Sequence, residues 1–583
     1  MCGIAGVMGR RDAHQQVMRM TAVLAHRGPD GSGIFCAGLD AALGHARLAV
    51  VDLSNAGAQP MTSHDGRWTM VLNGEIFNYR ELGEGLRQIP WRSATDTEVL
   101  LEACAAWGIE KALHRAIGMF AFALWDAREK ELTLVRDRMG EKPLVYFEEG
   151  QTLAFASEVK ALRGFHDGRL DDAAVEVYLA LGYIPAPLAV FRNVRKLSAG
   201  HRLRWKNGSS TVDRWWFPER SYATMERTRS GRIERARSLV GDAVRMRLQA
   251  DVPVAVALSG GVDSSVVAAE VVNQGARLHA FTVMAEGDET DLPYARSMVR
   301  RHGLAHEVVR IPSIAPVERV LQAVEHYDEP FADSSALCSL DLARAAAGRY
   351  KVILNGDGGD EAFAGYRNYT RIAMKQAVKA VAAGVGMVDG TGRTGIYVQS
   401  RALFRKHECS KLMRSKLTNG DAAGGALPRL LAADEYLRAS PGGSTLKCAL
   451  WTDRHLHLAN GLTHKMDMAL GAYGLEGRAP FLDHRILEWT QGLPSGDLVR
   501  GQERKILLRE AYRAELPREI LTRPKHGFGA PIGGWLAGPL REMVHDSLPC
   551  PLFDPALQKA ASGQRLWTLL MFARWAARWG ARW

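Results

Sequence analysis

Cys2 stands directly behind the initiating methionine, in Met1-Cys2-Gly3-Ile4-Ala5-Gly6. A methionine before a small residue is normally trimmed, which predicts Cys2 as the mature N-terminus. One residue then carries both a thiol and a free α-amine. Such an amine titrates near ~7.7–8.0, so at neutral pH it can accept the thiol proton and act as a built-in base. A small residue buried in a first strand is the alternative reading of the same position. Three further segments suit a thiol attacking a carboxamide. Asn73-Gly74-Glu75 closes an apolar run, where a side-chain amide and a backbone N–H can converge on an oxyanion. Arg47, followed by Leu48, offers a planar fork for an α-carboxylate. Asp96, in Thr95-Asp96-Thr97-Glu98, can pair with an α-ammonium or simply cap a helix.

A second group of residues suits phosphate chemistry. The run Ser259-Gly260-Gly261-Val262-Asp263-Ser264-Ser265 follows an apolar strand that ends at Leu258 and opens a helix. Glycines let the backbone approach an anion, and the helix N-terminus supplies unpaired N–H groups. No Gly-Lys-Ser/Thr is present, which excludes a Walker-type loop. Asn355-Gly356-Asp357-Gly358-Gly359-Asp360-Glu361 forms a second, acidic glycine turn after another strand. Mg²⁺ prefers a few carboxylates combined with phosphate oxygens, so Asp263 and Asp360 are its candidate ligands, with Asp357 and Glu361 open to a solvated-loop reading. Further along, Lys525 sits in Arg523-Pro524-Lys525-His526-Gly527-Phe528-Gly529, where it could meet a phosphate or a developing tetrahedral centre.

The elements that must hold these residues differ along the chain. Up to about residue 205, short alternating apolar runs such as 68–72 and 120–125 predict antiparallel strands, with helices near 79–88 and 96–107. From about 233 the pattern becomes helix 233–249, strand Val252–Leu258, helix Ser264–Asn273, strand Leu278–Val283 and strand Tyr350–Leu354. Strands alternating with helices predict a parallel sheet. The polar stretch through Asn207-Gly208-Ser209-Ser210 reads as a linker, giving domains at 2–205 and 233–583 joined by 206–232. Residues 371–445 read as helices and loops without evident chemistry. In the tail, Trp575, Trp579 and Trp583 repeat at i, i+4, i+8 beside Arg574, Arg578 and Arg582, predicting a docked or interfacial helix over 567–583. The net charge of +11 is spread along the chain without a nucleic-acid motif, which argues against nucleic acid as a partner. Seven scattered cysteines without a Cys-x-x-Cys pair argue against a disulfide framework or zinc site, and no apolar run approaches a bilayer span. A reducing cytoplasm fits.

With Ala25-His26-Arg27-Gly28-Pro29-Asp30 and Gly118-Met119-Phe120-Ala121-Phe122, the first 160 residues resemble the glutaminase domain of class II glutamine amidotransferases. That resemblance implies an N-terminal-nucleophile αββα sandwich. It also implies Cys2 as nucleophile, Asn73 and Gly74 as oxyanion hole, and a glutamine site of Arg47, Leu48, Asn73, Gly74, Glu75 and Asp96. The Ser-Gly-Gly-x-Asp-Ser-Ser loop resembles that of ATP pyrophosphatases. With Gly461-Leu462-Thr463-His464-Lys465-Met466-Asp467 and Leu475-Glu476-Gly477-Arg478-Ala479-Pro480-Phe481-Leu482-Asp483, the whole chain resembles glutamine-hydrolysing asparagine synthetases. The resemblance implies an ATP site of Leu258, Ser259, Gly260, Gly261, Asp263, Ser264, Ser265, Val283, Asn355 and Gly356. It gives Asp357 a role in forming the acyl-AMP and makes Lys525 the lysine that stabilises the intermediate. The implied reaction uses glutamine, ATP and Mg²⁺, passes ammonia inside the protein, amidates aspartate and leaves a homodimer open. Well-known members carry Glu at the position of Asp357 and Ser at that of Asn355, which leaves another acceptor carboxylate, a sugar acid or a peptide, in play. An amide-forming cyclase of the β-lactam synthetase type is the alternative in a different class, though Cys2, Arg47, Asn73 and Asp96 together argue against an inactive glutaminase.

Overall fold

Period-two alternation builds the first domain, because successive strand residues face opposite sides. In the computed structural model, residues 1–218, 226–285, 289–311, 316–372, 401–413, 426–433, 444–524 and 529–583 are described. The first strands are β1 (Gly3–Met8), β2 (Gly31–Cys36), β3 (Ala41–Arg47), β4 (Met61–Thr62), β5 (Trp68–Ile76) and β6 (Gly118–Asp126). They continue as β7 (Glu131–Arg136), β8 (Val145–Glu149), β9 (Thr152–Ala156), β10 (Val194–Lys196), β11 (His201–Lys206) and β12 (Ser209–Arg214). Two antiparallel sheets result, ordered β10-β8-β9-β1-β3-β2 and β12-β11-β7-β6-β5-β4. Ile4 and Met8 of β1 meet Ala121 and Ala123 of β6 in the layer between the sheets. The intervening residues point outward: Ala5 and Val7 pack with Val17 and Met20 of the helix Ala13–Val23. On the other side, Phe120 and Phe122 pack with Leu100 and Leu101 of the helix Asp96–Trp107. Helix, sheet, sheet and helix make the αββα sandwich.

The linker expected from 206 begins later. Asn207 (φ 53°) and Gly208 (φ 77°) both adopt the left-handed conformation of a two-residue hairpin turn. β12 then pairs with β11 from Lys206↔Ser209 to His201↔Arg214, so these residues form the edge of the second sheet.

The second domain is wound on a parallel sheet of β13 (Val254–Ala257), β14 (His279–Ala285), β15 (Ala305–Ile311), β16 (Val352–Leu354) and β17 (Glu476–Arg478). Its order is β15-β14-β13-β16-β17, with every neighbouring pair parallel. The chain winds one way from β13 and resumes on the other side at β16. Ligands of such sheets bind beyond the carboxyl ends of the strands at this reversal. Of the 371–445 stretch, residues 373–400, 414–425 and 434–443 lie outside the described residues, while Lys406–Leu412 and Ala426–Ala433 are helical. The C-terminal helix Gly563–Trp579 docks on the protein: Trp567 and Trp575 are fully buried, and the Trp579 indole donates to the Val324 carbonyl at 3.1 Å.

Candidate active sites

Cys2 lies just ahead of β1, which pairs with β3 so that Gly3 faces Ala46. The thiol therefore sits beside the end of β3, where the Leu48 N–H donates to Sγ at 3.4 Å. Burial pushes the Cys2 thiol up, and it pushes the Met1 ammonium down to about 5. The Arg47 guanidinium is aimed by two carbonyls, Ser54 at 2.7 Å and Asp52 at 2.5 Å. A side chain at Gly57 would collide with it, a Cβ there lying 2.3 Å from Nη2.

Asn73 is fully buried within β5, yet neither its amide nitrogen nor its oxygen has a hydrogen-bond partner. Buried polar groups are nearly always paired, so an orphaned amide marks a place made for another group. Gly74 has φ 141°, and a Cβ there would lie 2.0 Å from the Met119 carbonyl. Only glycine suits that backbone.

The cap of the helix Asp96–Trp107 is Thr95, whose hydroxyl accepts from the Glu98 N–H. Asp96 is thereby released from the capping role. Its carboxylate accepts from the Ile76 N–H at 2.7 Å, and burial lifts its pKa to about 6. Glu75 is held well up by burial too, 3.4 Å from Arg478 of the second domain. Cys2, Arg47, Leu48, Asn73, Gly74, Glu75 and Asp96 thus come from β1, β3, β5 and one helix end.

At the reversal point of the parallel sheet lies a cavity of about 240 Å³. Leu258, Ser259, Gly261, Asp263, Ser264, Val283, Asn355, Gly356 and Asp357 all line it. Gly260 instead makes the turn (φ 66°) against Tyr294, and Ser265 is buried inside the helix Val262–Asn273. The Ser264 hydroxyl ties the loop together, accepting from the Ser259 N–H at 3.2 Å and donating to the Gly261 carbonyl at 3.2 Å. The two glycine turns touch: a Cβ on Gly356 would lie 2.7 Å from the Ser264 nitrogen. Burial raises the Asp357 carboxyl.

Asp263 and Asp360 converge on one cation, the ammonium of Lys505. Lys505 was not legible in the sequence. It caps a short helix in the left-handed conformation (φ 55°), following the hairpin Val499–Arg504, and its only signal is the basic pair Arg504-Lys505. Arg523 also lines the cavity and donates to the Ser259 carbonyl at 3.1 Å. Lys465 lines it from the helix Thr463–Gly471 and donates to the Ser335 hydroxyl at 2.9 Å. Lys525 lies outside the described residues. No group of three or more His, Cys, Asp or Glu able to hold a metal occurs among the described residues. A pair of carboxylates facing one point still fits Mg²⁺, which takes its remaining ligands from phosphate and water.

The two sites face each other across the domain boundary. A small cavity at the boundary is lined by Met1 and Lys142 of the first domain and by Asn355, Asp357 and Asp467 of the second. Buried charges line this seam. Arg27 donates to the Cys2 carbonyl at 3.0 Å, to Glu158 at 2.8 Å and to Asp467 of the second domain at 2.7 Å.

Comparison with known proteins shows the family. Residues 1–216 match the model of a glutamine amidotransferase domain, and residues 235–577 match that of asparagine synthase. The chain belongs to the glutamine-hydrolysing asparagine synthetase family. Similar proteins include a putative asparagine synthetase of Mycobacterium bovis, 30% identical over 99% of this chain and 95% of its own. Asparagine synthetase 1 of Bacillus subtilis is 26% identical over 99% of this chain and 96% of its own. The amidase chyE of Penicillium rubens is 26% identical over 93% and 91%. An asparagine synthetase of this kind is a carbon–nitrogen ligase that uses ATP and takes its nitrogen from glutamine, and the N-terminal-nucleophile sandwich followed by a parallel-sheet domain agrees with it. No helix among the described residues is long and apolar enough to cross a membrane.

Proposed function

We propose that this asparagine synthetase activates a carboxylate, L-aspartate first among the acceptors, as an acyl adenylate and amidates it with ammonia released from glutamine. The observation that carries the reading is the shared seam, with Met1 ahead of Cys2 on one wall and Asn355 and Asp357 on the other. In this scheme Met1 is excised, which also clears its side chain from the seam. The freed Cys2 amine takes the thiol proton, and the thiolate attacks the glutamine carboxamide. Arg47 receives the α-carboxylate and Asp96 the α-ammonium. The Asn73 amide and Gly74 N–H hold the tetrahedral oxyanion, preorganised donors worth about 2.7–4 kcal/mol each. Collapse expels ammonia, and water hydrolyses the thioester.

In the second domain an acceptor carboxylate oxygen attacks the α-phosphorus of ATP and pyrophosphate leaves. The Ser259–Ser265 loop and the helix behind it cradle the phosphates. Asp263 and Asp360 would hold Mg²⁺, whose charge would offset that of pyrophosphate. Lys505 offers its charge to the same oxygens, and Lys525 is assigned to the intermediate. Ammonia attacks the acyl carbon and AMP departs. Asp357, with its carboxyl raised by burial, is suited to receive the proton. Seven free cysteines, one of them the nucleophile, suit a reducing cytoplasm.

The decisive assay is AMP and pyrophosphate release across a panel of carboxylic acids with glutamine as donor. Absence of release with every acid would overturn the reading. Asp263→Asn and Asp360→Asn are expected to abolish synthesis from both glutamine and ammonia while glutamine hydrolysis persists. Pyrophosphate exchange into ATP at a wild-type rate in either variant would refute the metal role.

A further inference from the structure

Near the nucleotide cavity lies a second one, of about 330 Å³, within the range of small-molecule sites. Its walls come from distant parts of the chain. Tyr183 follows the helix Asp172–Leu181 of the first domain, Phe331 and Asp333 precede the helix Ser335–Ala346, and Arg401, Leu403 and His457 complete it. His457 belongs to Asp453–Leu462, a ten-residue π-helix. Wide turns of this kind are rare and concentrate at functional sites.

The cavity's charges balance internally. Arg401 pairs with Asp453 at 2.8 Å and Asp333 with Lys465 at 3.6 Å. Burial holds the His457 imidazole down to about 4, so it is neutral at physiological pH. What remains for a ligand is flat and uncharged surface. The Tyr183 and His457 rings lie 5.8 Å apart, and Phe331 is backed by Tyr327, stacked at 5.0 Å.

The two cavities have no lining residue in common but are linked at two points. Lys465 lines that cavity with Asp357 and pairs with Asp333 of this one. Gly365 lines the nucleotide cavity too, and its neighbour Tyr366 has its ring 6.3 Å from His457. With a nucleoside triphosphate in the first cavity, as the adenylation reading has it, an acceptor that presents its carboxyl near Lys465 would extend its body into the second. Resting on the adenylation reading above, we propose that this second cavity is the subsite for the acceptor's body. Its complementarity is to a flat, uncharged body, aryl or peptide amide, larger than that of aspartate.

The test compares L-aspartate, 3-phenylpropanoate and N-acetylglycylglycine as acceptors, with ammonia as nitrogen source and AMP release as readout. The wild type is expected to turn over at least one of the two larger acids as well as aspartate, with a measurable KM. Leu403→Trp, which fills the cavity, should raise that KM by about tenfold and the aspartate KM by less than about threefold. An unchanged melting temperature together with unchanged glutamine hydrolysis certifies the fold of the variant. Turnover of aspartate alone, or equal shifts for every acid, would overturn the subsite and leave the reaction standing. Failure of all three acids would count against the adenylation reading itself. Should Leu403→Trp not fold, Leu403→Ala decides: added room lowers the KM of the longer 4-phenylbutanoate if the cavity holds the body, and an unmoved KM overturns the proposal.

Discussion

The Cys2 sulfur is raised in pKa by burial, so proximity of an amine matters more here than for an exposed thiol. Replacing Cys2 by Ala is expected to abolish glutamine-dependent amidation and leave ammonia-dependent amidation within about twofold, because nothing in the second cavity depends on the thiol. An uncleavable N-terminal extension should mimic the substitution, since it removes the free amine. Hydrolysis of glutamine by either protein would remove Cys2 from the mechanism. Asp96 gives a pH signature to the same site. Burial lifts its carboxyl to about 6, so it is ionised above that pH and neutral below it. The KM for glutamine should climb as pH drops through about 6, where the partner of the α-ammonium loses its charge. Stability runs the other way. A carboxyl with a raised folded-state pKa favours the fold at low pH, and that contribution is lost as pH rises from about 4 towards about 6. Asp96→Asn should therefore raise the KM for glutamine at pH 8 without lowering the melting temperature. A marked fall in melting temperature would make Asp96 a structural residue.

At the scale of elements, the sequence carried the strands and the two glycine turns well, because alternation and strand-turn-helix spacing are local properties. β5, β6 and the turns after β13 and β16 stand where their patterns put them, to within a few residues. The Asn207-Gly208 pair misled because the same residues mark linkers and hairpin turns, and only pairing with β11 tells them apart. Lys505 and the acceptor cavity escaped notice for another reason. Their geometry is assembled from segments up to hundreds of residues apart, with no local spacing to read. The Trp-rich tail lies between these cases: its stripe predicted a buried face, but not the partner. That partner includes Phe191, whose ring lies 5.6 Å from Trp575, and Tyr178, whose hydroxyl donates to the Thr568 carbonyl at 2.8 Å. Trp575→Ala should cost about 3–5 kcal/mol in denaturant unfolding, as for other fully buried aromatics. A cost below about 1 kcal/mol, or sedimentation of the intact protein with anionic vesicles at physiological salt, would mean that the helix serves a surface instead.

At the scale of the molecule, the two domains are joined by buried charge as well as by apolar packing. Arg27 reaches the Cys2 carbonyl, Glu158 and Asp467, while Lys142 approaches Asp467 at 3.6 Å. Arg478 works in the opposite direction. Its side chain reaches from β17 to Glu75, beside the proposed glutamine site, and its carbonyl accepts the Asn355 N–H at 3.0 Å in the acidic turn. Each link ties the thiol's surroundings to the second domain. Asp467 is the joint at which this can be tested without touching either cavity's chemistry. Asp467→Asn keeps the size and one acceptor oxygen but leaves Arg27 and Lys142 with less compensating charge. Because Glu158 still pairs with Arg27, the cost should be on the order of 3 kcal/mol, at the low end for a broken buried pair. The functional effect should exceed what that loss of stability produces. Glutamine should be hydrolysed faster than AMP forms, raising the ratio of glutamate to AMP above the wild-type value at saturating ATP and acceptor. Ammonia-driven synthesis serves as the internal control and should fall much less than glutamine-driven synthesis. A variant that is less stable but keeps the wild-type ratio would reduce the seam to a structural weld, with no part in coupling the two reactions.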